Sequence, residues 1–483
     1  MHCATQISDP DRLSQLAIGA GLLCAVAFIN IGVWFGLQMY GDGSIFSYSV
    51  AVRDVWAFHW HNIPGRLSVY LLAMLPAETY VSWFKDPQGG VLIYGELFFG
   101  IQLVSLIATY FADRSSKRIV FRYACFSTAC LCPLVFGFPT EIWFAHALFW
   151  PALALCHYAP RGVAGAAAIF VALLTLVFTH DGAIIFALAI LSTFLLRSDR
   201  SAGGPRVLCA VAAVIAIWIA VKLVYPPDEY CRAALARAAR LVFDPAILTG
   251  SMVRLIGGTL AAYGILVLLL SRFDPVRAHI GAAAAVAAGL AAYWCWFDQA
   301  LHAENRYYLR TVVLVATPGF GLMAAAYALR ADGRLGGPAS LLARPMALLA
   351  GGAARRAASG ALLLLLLVHA VETAKFTWGW THYKNAVQHL ANGTLSDPAL
   401  GNPNFVSSSR IGRDLNRLSW FSTTHFLSVL LAPNLSPARL VVDPTANYFW
   451  LACQTAQTNL EAARTTPLAS RRLIRIHACL NRR

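Results

Sequence analysis

The chain is expected to be an all-α polytopic membrane protein with about 11 transmembrane helices, and three observations predict it. Hydrophobic residues make up 58% of the 483 residues and charged residues only 13%, too polar-poor a mixture to be solvated as one globule. Apolar runs of about 17 to 22 residues recur along the chain, each long enough to cross a hydrocarbon core of roughly 30 Å at 1.5 Å per residue. None of these runs alternates as a barrel strand would, so helices must satisfy the backbone in lipid.

The first residues, 1–15, are polar and carry Asp9 and Asp11, unlike the basic start of a cleaved signal peptide, so the first span is expected to stay. Spans are placed near 15–40, 89–112, 119–136, 141–158, 162–179, 182–197, 206–225, 254–271, 278–298, 309–329 and 359–376. With that count Arg114, Lys117, Arg118, Arg161, Arg197, Arg206, Arg272, Arg330 and Arg356 all fall in connections on one side, which the positive-inside rule assigns to the cytoplasm. The expected location is a plasma or bacterial inner membrane, with the N-terminus cytoplasmic and the C-terminus external. The division is a transmembrane bundle over 1–376 and a small external, periplasmic region over 377–483. The net charge of +15 is spread over many loops, which argues against nucleic acid as a partner and for membrane lipids.

Residues 65–84 are apolar but interrupted by Pro76 and Glu78. Counting them as a span would turn the basic loops outward, so they are read as re-entrant or interfacial within one external loop, 41–88. Ahead of them Ile45, Tyr48, Val52, Val55 and Trp56 recur at spacings of three and four, the pattern of an amphipathic helix lying at the headgroups.

Acidic and histidine residues then collect at the external ends of different spans: Asp42, Asp54, Glu141, His180, Asp181, Asp298, His302 and Glu304. Ionisable groups at membrane depth are costly and tend to line a cavity or pair, so one external cleft is expected. Each also has a plainer reading. Glu141 can be a loop residue, Asp181 with His180 a helix cap, and His146 a hydrogen-bonded core histidine. Asp42 stands between Gly41 and Gly43 at the exit of the first span, where flexible backbone surrounds one carboxylate.

Asp42 and Asp54, followed by interfacial helices, resemble the layout of the GT-C superfamily of membrane glycosyltransferases, which includes protein O-mannosyltransferases and the lipid A aminoarabinose transferase. The stretch "ENRYYLRTVVLVATP" is similar to the segment leading into a late span of that group. The resemblance implies Asp42 as the catalytic carboxylate and Arg306 as a contact to a lipid-linked phosphate. Gly43 stands where an adjacent acidic pair would be completed, which leaves the base and any divalent metal open; no cofactor is otherwise implied and no metal ligands are assigned.

Chemistry on the external face points the same way. Nucleotide sugars are not at hand there, so a transferase would draw on a polyprenyl-phosphate sugar and pass it, with inversion, to an acceptor of unknown identity. A carboxylate would take the acceptor proton, with Asp42, Asp54, Glu141 and Asp181 as candidates. Arg53, His180, Glu304, Arg306 and Arg310 would hold substrate and phosphate, while Arg66 and Arg232 read as headgroup anchors. The rival classes are a polytopic transporter and a noncatalytic component of surface-polysaccharide assembly. The sequence contains no CxxC, HExxH, Walker A or GxSxG motif, which argues against a zinc protease, an ATPase and a serine hydrolase. Most of the eleven cysteines lie in spans; Cys453 and Cys479 fall in the external tail and form the disulfide candidate.

Overall fold

The computed structural model describes residues 10–53, 63–198, 203–226, 249–274, 277–298, 309–336, 351–395, 405–420 and 423–442, with Val55, Ala236, Arg240, Asp244 and Asp397. Helix α1 (Pro10–Trp34) leads through a 3-10 turn to α2 (Asp42–Ala51). A turn at Ile63–Arg66 and a π-helical stretch at Tyr70–Met74 precede α3 (Leu75–Phe84), and α4 (Pro87–Ala112) folds back on α3. The reversal is written locally. Lys85 closes α3 in the left-handed region at φ 58°, Asp86 caps α4 by accepting from Gly89 N–H at 3.0 Å, and Pro87 takes the first helical position.

The bundle continues with α5 (Ile119–Leu131), α6 (Glu141–Tyr158), α7 (Val163–Val177), α8 (Ile184–Ser192) and α9 (Gly204–Val224). It is completed by α10 (Ser251–Leu270), α11 (Ala278–Ala292), α12 (Arg310–Ala331) and the 41-residue α13 (Gly352–Asn392). Eight of the described helical segments are long and apolar enough to cross a membrane; α7 and the segment Asp181–Leu196 are apolar but shorter. The multi-pass membrane class therefore stands, on eight such segments. The segment 65–84 is not among those eight.

Helix contacts alternate the direction of the chain. Gly32 meets Phe99 across α1 and α4, and Gly21 lies against the backbone of Cys125 in α5, the close approach that small residues permit between membrane helices. At one end Tyr158 donates to Asp332 at 2.8 Å, Ser116 N–H to Asp332 at 3.0 Å, and Arg206 to the Pro160 carbonyl at 2.9 Å. These contacts bring the turns at 116, 158–160, 206 and 332 together at one end of the bundle. The turns at 42, 136–141, 178–181 and 309–310 lie at the other.

One finding differs from the sequence reading. Helix α2 does not present an apolar stripe to headgroups: Gly43, Ser44, Phe46, Ser47, Tyr48, Ser49, Val50 and Ala51 are all buried, because protein covers both sides. Helix α14 (Thr424–Leu430) packs on it with Tyr48 and Phe426 rings 5.1 Å apart, and Ser44 donates to the Thr423 carbonyl at 3.2 Å. Trp56, Phe58 and Trp60 lie outside the described residues. Helix α13 runs without a break through position 376. Beyond it the chain adds a two-stranded parallel sheet, β1 (Phe405–Ser407) with β2 (Leu440–Val442), paired Phe405 to Leu440.

Candidate functional site

Asp42 occupies the first turn of α2, and the two glycines beside it have separate backbone duties. Gly41 adopts φ 57°, ψ −129°, outside the comfortable range of other residues. Gly43 admits the Gln38 carbonyl and the Pro139 ring into space that a Cβ would fill. The pair thus seats the start of α2 against the 3-10 turn that follows α1 and the turn before α6. Gly43→Ala is expected to cost about 1–3 kcal/mol through overpacking, read as a lower thermal midpoint of the purified protein; an unchanged midpoint would mean that this contact does not pin α2.

Glu141 opens α6 and is only 6% exposed. Its Oε1 is ion-paired with the Arg66 guanidinium, which arrives from the turn preceding α3. Arg66 is thus an inward partner rather than the headgroup anchor expected of it: a buried carboxylate needs a counter-charge, and Arg66 is within reach. His180 and Asp181 lie between α7 and α8. The cap there is His180, whose Nδ1 accepts from Gly182 N–H at 2.9 Å, while Asp181 pairs with Lys222 of α9 at 2.8 Å. Ser68 N–H donating to the Phe178 carbonyl at 3.0 Å, and Leu309 N–H to the Leu134 carbonyl at 3.1 Å, draw these turns and the start of α12 together.

At the centre, half-buried Asp42 makes no hydrogen bond or ion pair with the described residues, yet feels its neighbours. Burial first, and the Glu141 charge second, push its carboxyl up to about 6, while Arg66 and Arg310 oppose the rise. His180 is lowered to about 4 by burial and by Arg66, against the pull of Glu141 and Asp181, so it is neutral at pH 7. The result is one carboxylate poised near neutrality and flanked by two arginines, beside a neutral imidazole.

Of the residues singled out from sequence, the structure thus brings Asp42, Glu141, His180 and Arg310 into one electrostatic neighbourhood, with Asp181 adjoining through the His180 turn. Arg53 follows α2 in the left-handed region at φ 58°, one helix length or about 15 Å along the axis from Asp42. Asp298 is committed to Lys375 of α13 at 2.6 Å. His146 is the core histidine expected, held by Ser127 at 2.9 Å and Gln102 at 3.2 Å. Asp54, His302, Glu304, Arg306, Cys453 and Cys479 lie outside the described residues.

Comparison with known protein families, characterised proteins and solved structures finds no match.

Among the described residues no three His, Cys, Asp or Glu side chains gather to hold a metal ion. Glu141 and Asp181 already face Arg66 and Lys222, so these residues do not fit a divalent-metal site and no chemical step is assigned to one. A cleft of only about 10 Å³ lies beside Gly41 and Ser44, walled by Trp380, Tyr383, Trp420 and Thr424. It is far smaller than the roughly 300–1,000 Å³ of most small-molecule sites and has room for about one water at most.

Lys222 and Tyr94 join the site without having been anticipated. Lys222 looks like a cation ending a span, and Tyr94 like one more aromatic in an apolar helix. Neither spacing nor composition separates them from ordinary membrane anchors.

Proposed function

We propose that the protein is a membrane glycosyltransferase that moves a sugar from a polyprenyl-phosphate carrier to an acceptor at the external face, with Asp42 as general base. The observation that carries this reading is the Asp42 carboxyl, without a hydrogen bond or ion pair among the described residues, raised to about 6 and within the electrostatic influence of Arg66 and Arg310. A base of that strength is half or more ionised at neutral pH and can accept the proton of an acceptor hydroxyl. The guanidinium of Arg310, and that of Arg66 where Glu141 leaves it donors, would bind a departing phosphate through charge-assisted hydrogen bonds. The basic turns facing the cytoplasm would put this site outside, where the donor must be a lipid.

The deciding experiment is mass spectrometry of lipid extracts from cells lacking the gene and from cells restored with the wild-type gene. Build-up of one polyprenyl-phosphate sugar in the deletion, cleared on restoration, supports the transferase and names its donor. An unchanged lipid pool refutes the transferase and moves the reading to transport or assembly.

The raised carboxyl also fixes a pH dependence. Protonation removes the base, so turnover is expected to fall as pH drops through about 6, roughly tenfold for each unit below it. A turnover rate flat from pH 7 to pH 5 would exclude Asp42 from the role.

A further inference from the structure

Away from Asp42, three helices of the bundle bring polar side chains together in the core. Gln102 of α4, Ser127 and Thr128 of α5, Cys132 of the 3-10 turn that ends α5, and His146 of α6 are all buried. Three of their atoms close a triangle. His146 Nδ1 is 3.2 Å from Gln102 Oε1 and 3.6 Å from Cys132 Sγ, and Cys132 Sγ is 3.4 Å from Gln102 Oε1. An imidazole nitrogen, a thiol and an amide oxygen, each from a different element, therefore face one point. Because the third donor is an amide, no trio of His, Cys, Asp or Glu marks the place among the described residues.

The triangle has the size of a coordination face. Bonds of about 2.0–2.3 Å to nitrogen, oxygen and sulfur place neighbouring donors of a tetrahedral or trigonal ion roughly 3.3–3.8 Å apart. What stands behind each donor keeps it aimed inward. Ser127 Oγ lies 2.9 Å from His146 Nε2, so the second ring nitrogen has its own partner and Nδ1 is left for the centre. Gln102 Nε2 donates to Thr128 Oγ1 at 2.9 Å, and Thr128 donates to the Ala124 carbonyl at 2.8 Å, which turns the amide oxygen toward Cys132 and His146.

Charge selects the ion. A Cys132 thiolate supplies one negative charge, while the imidazole, the amide and the two hydroxyls supply none. A divalent ion would leave a positive charge buried in the core, whereas a monovalent ion is neutralised, and buried net charge is the costlier outcome. Thiolate also favours a soft ion, and His, Cys and Gln all serve as copper ligands. We propose that Cys132 Sγ, His146 Nδ1 and Gln102 Oε1 form a binding site for one Cu(I) ion, independent of the reading of Asp42. As Cu(I) binds, an S–Cu bond replaces S–H and the thiol proton passes to solvent, with no change of oxidation state. The ion would join α4, α5 and α6 about 7 Å along α6 from its first residue, Glu141.

The test is the copper content of the full chain, purified in detergent with a reductant from cells grown with added copper, together with its copper X-ray absorption spectrum. Near-stoichiometric copper with a sulfur neighbour and an imidazole signature is expected, lost in Cys132→Ser and kept in Cys24→Ser. Thr128→Val, which frees the Gln102 amide without opening the core, is expected to weaken binding about tenfold in competition with a Cu(I) chelator. A wild-type chain free of copper, zinc in its place, or a copper spectrum without sulfur overturns the proposal. Copper that survives Cys132→Ser overturns it as well. Where Cys132→Ser does not fold, the wild-type spectrum and the Thr128→Val affinity decide, an affinity equal to wild type counting against the site. No turnover enters these measurements, so their failure leaves the transferase reading standing, and an unchanged lipid pool leaves the copper site standing.

Discussion

Asp42→Asn is expected to lower turnover by about 10²–10⁴-fold, the contribution of a positioned general base, while the protein remains inserted and folded. The substitution is nearly isosteric, and Asp42 makes no hydrogen bond among the described residues that the fold would lose. Removing a half-buried carboxylate whose ionised form is penalised by burial is also not expected to destabilise the bundle. Below the ordinary aspartate range both folded and unfolded chains hold the proton. Between that range and about 6 the folded chain holds it more tightly, so wild-type stability declines as pH rises through this window and Asn is indifferent to it. The measurement is the polyprenyl-phosphate pool in cells carrying the variant, with protein abundance quantified in the same membranes. A cleared pool with Asn at position 42 would remove the base; an uncleared pool with scarce protein would instead expose a folding role.

Arg66→Ala is expected to produce the largest loss of stability among the site residues, about 3 kcal/mol, because it strands Glu141 at 6% exposure without its counter-charge. The Arg66 side chain is itself 27% exposed, which places the effect at the low end for a broken buried pair. Arg66→Ala combined with Glu141→Gln should recover most of it, since the stranded charge is then gone. A double-mutant cycle on reversible unfolding in mixed micelles reads the coupling directly. Equal losses in the single and double variants would mean that Arg66 acts through its packing rather than its charge. Activity need not recover with stability in the double variant, as the reading of Arg66 as a phosphate contact predicts continued loss.

Much of the architecture was legible because lipid imposes long apolar helices and the chain must reverse between them. Once the basic turns are assigned to one side, Asp42, Glu141, His180, Asp181 and Arg310 have to meet at the other, and four of the five share one electrostatic neighbourhood with the fifth adjoining. Pairings within that end were not legible. Arg66 and Glu141 are 75 residues apart, and nothing local distinguishes an arginine that snorkels from one that turns inward. The same holds for His180 and Asp181, where capping preference points to the aspartate. The structure gives the cap to histidine because Lys222, on another helix, claims the aspartate. Burial of α2 was hidden for a different reason. Its three-and-four spacing is that of a surface helix, and the element that covers its other side, α14, lies some 380 residues away.

Helix α13 has mechanical consequences. Its 41 residues reach about 60 Å, twice the hydrocarbon thickness, and Trp380 and Lys384 on its far half both donate to the Phe35 carbonyl, at 2.9 and 3.0 Å, where α1 ends. The same helix carries Tyr383, which meets Thr424 of α14 at 3.3 Å, and α14 in turn rests on α2. The segment after the last span is therefore a strut rather than an appendage. A protease cut or a stop codon near position 376 would sever a continuous rod, release the brace on Phe35 and uncover the helix that bears Asp42. Truncations of the tail should accordingly disturb the surroundings of Asp42 as directly as a substitution beside it would.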